Sequence, residues 1–244
     1  MKLLAFETAT EACSVAVYID GEVRERFGLA PRRHAELALP WAEEMLAEAG
    51  IAKSQLDAIA VGRGPGAFTG VRLAIAIAQG IALALDRPVL PVSTLAALAM
   101  RAAVPPLPLA GEGRGEGGQN ILAAIDARMG EIYLGAFARR GDDIVALASE
   151  VVVKPDIANI PAGDDWRGVG TGFSAADGAL PLRLQCRLAT VDASALPHAA
   201  DLARLAALAF ARGEAVAAER IEPAYLRNNV ALTLAEQQAL RTKG

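Results

Sequence analysis

The stretch Gly62–Leu85 reads GRGPGAFTGVRLAIAIAQGIALAL, and its interpretation decides the rest. It begins as a loop: Gly62, Gly64, Pro65 and Gly66 punctuate the end of the apolar run Asp57–Val61, which reads as a strand. Thr69 is placed to cap a following helix, because its hydroxyl can accept a free N–H of the first turn. From Gly70 to Leu85 only Arg72 and Gln79 are polar, and a helix apolar nearly all round is buried on more than one side. The segment is too short and too alanine-rich to span a membrane. Gly70, Ala74, Ala76, Ala78, Gly80, Ala82 and Ala84 keep it slim. A glycine inside a helix costs roughly 1 kcal/mol relative to alanine, so Gly80 implies close packing. Two readings follow: a core helix under its own sheet, or a core helix whose other flank meets a second chain.

Composition narrows the class. A chain of 244 residues makes one large domain or two small ones, and 53% apolar content with 5% aromatics suits an α/β protein with ample core. The formal charge of −4 gives no case for nucleic-acid binding by the chain alone, since phosphate affinity needs clustered Lys and Arg. Cys13 and Cys186 are far apart and in no metal-type spacing. The chain opens directly on the strand-like run Lys2–Phe6, with no basic segment leading into a signal-type apolar core, so a cytoplasmic protein is expected.

Lys2–Phe6, Ala12–Ile19 and Glu22–Leu29 read as three antiparallel strands, the last two joined by Asp20-Gly21, a dipeptide suited to positive φ. A helix over His34–Ala49 follows, then the strand Asp57–Val61, the central helix, a strand Pro88–Val92 and a helix from Thr94 with Ser93-Thr94 as its cap. This order has the form of a ribonuclease-H-like or actin-like half domain. In the first helix Leu37, Trp41 and Met45 make one stripe, Glu36, Glu43, Glu44 and Glu48 take the wet side, Pro40 predicts a kink and Gly50 a C-terminal cap. Pro105–Gly118 is a Pro/Gly-rich break without periodicity, read as a linker or insertion. The second half echoes the first: strands Gln119–Asp126, Ile132–Ala138 and one long strand Ile144–Val153. A short strand Arg167–Gly170, a turn Thr171–Ser174 leading into a helix, a helix Ser194–Arg212 ending at Gly213, an extended tail Ile221–Arg227 and a short helix over Leu232–Leu240 complete it. The expected division is 1–101, a linker 102–118, 119–213, and a tail 214–244 that packs back.

One ordered set of motifs carries a family resemblance. Glu7-Thr8-Ala9-Thr10-Glu11-Ala12-Cys13-Ser14-Val15-Ala16 is followed by His34-Ala35-Glu36-Leu37 and Gly64-Pro65-Gly66-Ala67-Phe68-Thr69-Gly70-Val71-Arg72. Val92-Ser93-Thr94-Leu95, Asp126-Ala127-Arg128-Met129-Gly130-Glu131 and Pro223-Ala224-Tyr225-Leu226-Arg227 complete it. The chain closely resembles the TsaB (YeaZ) family, most densely over its first hundred residues. The resemblance implies an actin-like fold of two subdomains and a part in forming N6-threonylcarbamoyladenosine at position 37 of tRNAs that read codons starting with A. It also implies a heterodimer with the related TsaD, which carries the metal and the transfer chemistry, with the ATPase TsaE joining and TsaC supplying threonylcarbamoyl-adenylate. Such a chain is a scaffold and activator, meets tRNA only through the complex, and self-associates through the helical face that TsaD uses. Two departures from the family pattern are Glu7, where Asp is common, and the inserted Pro105–Gly118 segment.

The residues themselves argue against independent chemistry. An actin-like ATPase or sugar kinase cradles phosphates in Gly-rich turns and holds magnesium by carboxylates. Here the first turn, Glu7–Glu11, has no glycine and two glutamates, while Asp126–Glu131 has one glycine. Gly168–Gly172 is Gly-rich but isolated, and the Gly64–Gly70 loop lacks the Lys and Ser/Thr ending of a P-loop. His34 and His198, the only histidines, fall in different halves, which speaks against a paired-histidine metal site, and His34 reads as a helix start or a partner contact. Cys13 reads as core, and Thr8, Thr10 and Ser14 have no base nearby in sequence. The expectation is therefore a non-catalytic subunit without metal or cofactor. Its partner face is placed on the first helix (His34, Leu37, Trp41, Met45) and the central helix (Arg72, Ile75, Ala78, Gln79), with Arg72 pairing a carboxylate within the chain or across the interface. The rival readings are an actin-like ATPase, a peptidase acting on TsaD, or a bare tRNA-binding module.

Overall fold

The computed structural model describes residues 1–103 and 119–227; the expected insertion 105–118 and the expected helix over 232–240 lie outside the described residues. Strands β1 (Lys2–Glu7), β2 (Ala12–Ile19) and β3 (Glu22–Leu29) form an antiparallel meander, and Asp20 and Gly21 both take positive φ in its second turn. Helix α1 (His34–Glu48), strand β4 (Ala58–Gly62), helix α2 (Phe68–Leu85), strand β5 (Val89–Val92) and helix α3 (Thr94–Ala99) follow. The first sheet has the order β3-β2-β1-β4-β5, with β4 and β5 parallel to β1.

The second half repeats the pattern with β6 (Gln119–Arg128), β7 (Glu131–Arg140), β8 (Asp143–Ala146), β9 (Val151–Val153), β10 (Trp166–Val169), α4 (Ala179–Leu184), β11 (Leu188–Asp192) and α5 (Ala199–Ala211). Its sheet has the order β11-β10-β6-β7-β8, and β9 also pairs with β7. These are two mixed sheets with flanking helices, an actin-like, ribonuclease-H-like architecture.

Period-two alternation sorts the cores. Leu4, Phe6, Ile59 and Val61 face α1 and α2, while Leu3, Ala5, Ala58 and Ala60 face α5. In the second sheet Ile121, Ala123 and Ile125 face α3, and Leu122 and Ala124 face α4. Each half thus lends a helix to the other: α3 packs on β6 and β7, and α5 packs on β1 and β2. The small residues Ala5, Ala16, Ala58 and Ala60 meet Ala199, Ala203 and Ala206, so α5 can lie close to the first sheet.

Several local expectations need correction. Helix α2 starts at Phe68 with Ala67 as its N-cap, and Thr69 is an exposed first-turn residue that caps nothing. Helix α1 continues through the exposed Pro40, where the Glu36 carbonyl that loses its partner lies on the wet side, so the proline does not end the helix. The expected long strand over Ile144–Val153 is two strands on different stretches of β7, since Leu147–Glu150 bends away and Glu150 accepts a hydrogen bond from Ser93 in the other half. Helix α5 begins five residues later than expected: Pro197 keeps its predecessor extended, and Ser194 is held in a turn by Asp192. The helix expected to follow the Thr171–Ser174 turn is α4, which is short and starts only at Ala179, while the short, mostly exposed strand β11 has no counterpart in the sequence pattern.

The glycines of the central stretch separate into two kinds. A Cβ on Gly70 would collide with the Thr8 carbonyl oxygen, which belongs to rigid backbone, whereas a Cβ on Gly80 meets nothing. Gly70→Ala should therefore lose roughly 3 kcal/mol or more, and Gly80→Ala should gain up to about 1 kcal/mol from helix propensity. Urea unfolding of the two variants checks both signs.

Candidate functional site

The two halves enclose a cleft of about 1100 Å³. Its floor is the β1–β2 turn, Thr8-Ala9-Thr10, and the facing β6–β7 hairpin around Asp126. Its walls are the N-terminus of α2 and the extended strap Pro223–Arg227. In an actin-like enzyme these turns would offer free N–H groups to phosphate. Here the chain occupies many of them itself.

The Ala9 N–H donates to Glu7 Oε1 at 2.7 Å, and the Ala12 N–H donates to Thr10 Oγ1 at 3.3 Å. The Ala67 N–H donates to the Ala9 carbonyl at 2.7 Å, and the Thr8 hydroxyl donates to the Gly70 carbonyl at 2.7 Å. Across the cleft the Asp126 N–H donates to Thr171 Oγ1 at 3.1 Å, and the Arg128 N–H donates to Asp126 Oδ1 at 2.8 Å. Gly66 and Gly70 are what admit this: a side chain at either would strike the backbone of Ala9 or Thr8. Gly170 and Gly172 do the same against Ala124, so the Gly168–Gly172 run is spent on close strand packing.

Glu7 points away from the cleft. It is buried over Gly62, where any Cβ would strike its carboxyl, and it accepts the Thr94 hydroxyl at 2.9 Å. Burial pushes its carboxyl up to about 7, against the pull of the hydrogen bonds from Ala9, Thr94 and Thr8. Cys13 is buried too, and burial pushes its thiol up to about 11, the opposite of an activated nucleophile.

Folding assembles one cluster that has no local sequence signature. Ser14, Glu25 and His198 meet at the N-terminus of α5: Ser14 Oγ donates to Glu25 Oε1 at 2.6 Å, and His198 Nδ1 lies 2.8 Å from Glu25 Oε2. The Ala199 N–H donates to Ser14 Oγ and the Ala200 N–H to Glu25 Oε1. Burial works against the charge on Glu25, but the hydrogen bonds from His198, Ser14 and Ala200 outweigh it and hold the carboxyl below its usual range. The order is wrong for a serine nucleophile, because the carboxylate stands between serine and histidine. The cluster caps α5 and ties it to the first sheet, while the His198 ring stacks on Phe27 at 4.0 Å. The pairing partners are 173 residues apart, beyond any local signal.

The residues expected on the partner face fall in several places. Met45, Ile75 and Ala78 are 3%, 6% and 0% exposed and belong to the core beneath α1 and α2, so they present nothing outward. Leu37 and Trp41 pack half-buried on that core, with Trp41 across Gly28. His34 Nε2 lies 3.0 and 3.2 Å from the Thr10 and Ala12 carbonyls, anchoring the start of α1 to the first turn. Gln79 donates to the Ala218 carbonyl at 2.9 Å, holding the chain that leads into the strap. Arg72 lies in the cleft wall between the Phe68 and Tyr225 rings, 3.2 and 4.9 Å from their centroids.

The outward flank of α2 is instead Phe68, Thr69, Ala76, Gly80, Leu83 and Ala84, with Leu39 of α1 beside it. Phe68 and Leu83 are each 65% exposed. This bare flank is apolar apart from Thr69; contrary to the expectation from sequence, the 18-residue helix is long and apolar enough to cross a membrane, yet it is docked on the first sheet by its other side. The strap is fixed at three points: the Ala224 N–H donates to the Arg63 carbonyl at 2.8 Å, Tyr225 covers Arg72, and Arg227 pairs with Glu131 while donating to the Ala127 carbonyl.

The family model described as "TsaD: tRNA N6-adenosine threonylcarbamoyltransferase" matches residues 25–234. The chain is 42% identical to the tRNA threonylcarbamoyladenosine biosynthesis protein TsaB of Escherichia coli (strain K12), over 95% of this chain and 96% of that protein. It is 39% identical to the protein of the same name in Haemophilus influenzae, over 94% and 95%. A crystal structure from Pseudomonas aeruginosa, described as an uncharacterized protein with similarity to peptidase YEAZ, superposes with a TM-score of 0.81 at 47% identity, covering 93% of this chain and 99% of that one.

Glu7 yields a pH prediction. An acid whose native value is about 7 against an ordinary 4.5 binds its proton more tightly in the fold, so its contribution to stability is full below pH 4.5 and is lost as pH rises to 7. The loss is on the order of 3 kcal/mol. Glu7→Gln should match the parent at pH 4.5 and exceed it at pH 8; urea midpoints at the two pH values measure the difference.

Proposed function

The chain belongs to the TsaB family, and from that premise we propose that it is a non-catalytic scaffold and activator in the formation of N6-threonylcarbamoyladenosine at position 37 of tRNAs that read codons starting with A. It acts in the cytoplasm by pairing with a TsaD subunit, which brings the transfer chemistry, and the pair recruits TsaE. TsaC supplies the activated threonylcarbamoyl group, and tRNA is engaged only through the assembled complex.

The observation that carries this reading is the combination of a bare apolar helix flank with a cleft floor many of whose hydrogen-bond donors are already engaged within the chain. The first calls for a partner, because contiguous exposed apolar surface marks an interaction site. The second removes the means by which this fold grips phosphates. The transferase model matches most of the chain, so a TsaD subunit shares its architecture and can offer an equivalent helix pair. Two helices from each chain then make a four-helix seam, and the same seam serves a homodimer. Ala76, Gly80 and Ala84 are spaced by four residues on the flank and let a facing helix approach closely, which accounts for a glycine at position 80. Stable interfaces bury about 1,600 Å² in total.

Burial of Ala78 moves the test to the outward residues. Gly80→Glu and Leu83→Glu each place a charge on the flank without touching the core. Both variants should unfold like the parent, and both should lose co-purification with TsaD, with affinity falling roughly a hundredfold. Retained affinity in both would contradict the proposed face. A modification assay omitting the chain tests the activator role separately.

A further inference from the structure

The cleft is unlike the rest of the surface in charge. Its charged lining is Arg32, Arg72, Arg128 and Arg227 against Glu11 and Asp126, in a chain whose net charge is −4. Arg227 is neutralised by Glu131 and Arg128 by Asp126. Arg72 is not: its Nη1 is buried with no hydrogen-bond partner among the described residues. The Phe68 and Tyr225 ring centroids lie 3.2 and 4.9 Å from its guanidinium carbon, and Arg72 is part of the cleft wall. Phe68 and Tyr225 are themselves more than half exposed, and Met129 stands out at the tip of the facing hairpin. Arg32, at the cleft's edge, has no ion pair among the described residues either, but Arg72 alone is flanked by aromatic rings.

We propose that this cleft binds a carboxylate carried on an apolar or aromatic body, with the carboxylate meeting the edge of Arg72 and the body lying against Phe68 and Tyr225. A planar carboxylate matches the guanidinium fork, and charge-assisted pairs of this kind are the strong ones. Phosphate is disfavoured twice over: turn amides that would cradle it are engaged within the chain, and Glu11 and Asp126 repel a multiply charged anion. Phe68 belongs both to this site and to the outward flank of α2, while Arg72 and Tyr225 line the cleft alone, so variants at those two test the site apart from the partner flank. A small organic acid and the carboxylate of an inserted protein segment present the same chemistry.

Thermal shift and NMR titration of the full chain with N-acetyl-phenylalanine, its C-terminal amide and inorganic phosphate test the site. The free acid should bind saturably, with little response to the amide or to phosphate. Arg72→Lys keeps the charge but loses the fork, and Tyr225→Ala removes one ring; with each variant shown to be folded by circular dichroism, binding should weaken by roughly tenfold. A peptide ending in phenylalanine that binds more tightly than the free acid points to a protein segment, and the reverse points to a small metabolite; either upholds the site. Equal response to acid and amide, no saturable response to the acid, or binding unchanged in both variants would overturn it.

Discussion

The contact on which the structure turns is the seating of α2 on the first hairpin. The Gly70 carbonyl accepts the Thr8 hydroxyl, and the Ala67 N–H reaches the Ala9 carbonyl. Both need glycine at 66 and 70, since any Cβ there would enter the turn's backbone. The contact sets where α2 begins, and therefore which of its sides meets the sheet. It also uses up the turn that, in a phosphate-binding relative of this fold, would hold a ligand. One backbone approach thus links an occupied first turn to the presentation of an apolar helix.

The remainder of the molecule keeps that arrangement stiff. The exchange of α3 and α5 between the halves ties each sheet to the other, and the capping of α5 by Ser14 and Glu25 fixes the exchange at one end. The strap ties it at the other end, from the Arg63 carbonyl to the hairpin at Glu131. Ser93 and Glu150 add a further link between the halves, where burial raises the Glu150 carboxyl against the pull of the Ser93 hydrogen bond and of Arg63. A rigid body with one uncovered helix flank is suited to act as a structural partner.

Much of the fold was legible from local pattern. The three opening strands, the Asp20-Gly21 turn, both helices of the outer layer and the Ser93 cap follow from alternation, turn chemistry and capping. The orientation of α2 was not. A helix apolar on every side has no wet face to set its rotation, and its polar residues mislead: Gln79 turns inward to the Ala218 carbonyl while Gly80 faces out. The first-helix stripe Leu37-Trp41-Met45 was read correctly as apolar, but its place is the chain's own core. The Ser14–Glu25–His198 cluster and the Arg72–Tyr225 stack join residues more than 150 positions apart, and only the exchange of helices and the return of the strap bring them together. The helical period takes in Leu196, but Pro197 disfavours helix at that position, and α5 starts at Ala199.

The proposal that this chain works as a partner and not as a nucleotide enzyme rests on the turn amides that the chain engages itself around the seated N-terminus of α2. Titration calorimetry of the purified chain with ATP and magnesium is the most direct measurement. The account predicts no saturable heat. Stoichiometric binding accompanied by ATP turnover would contradict it.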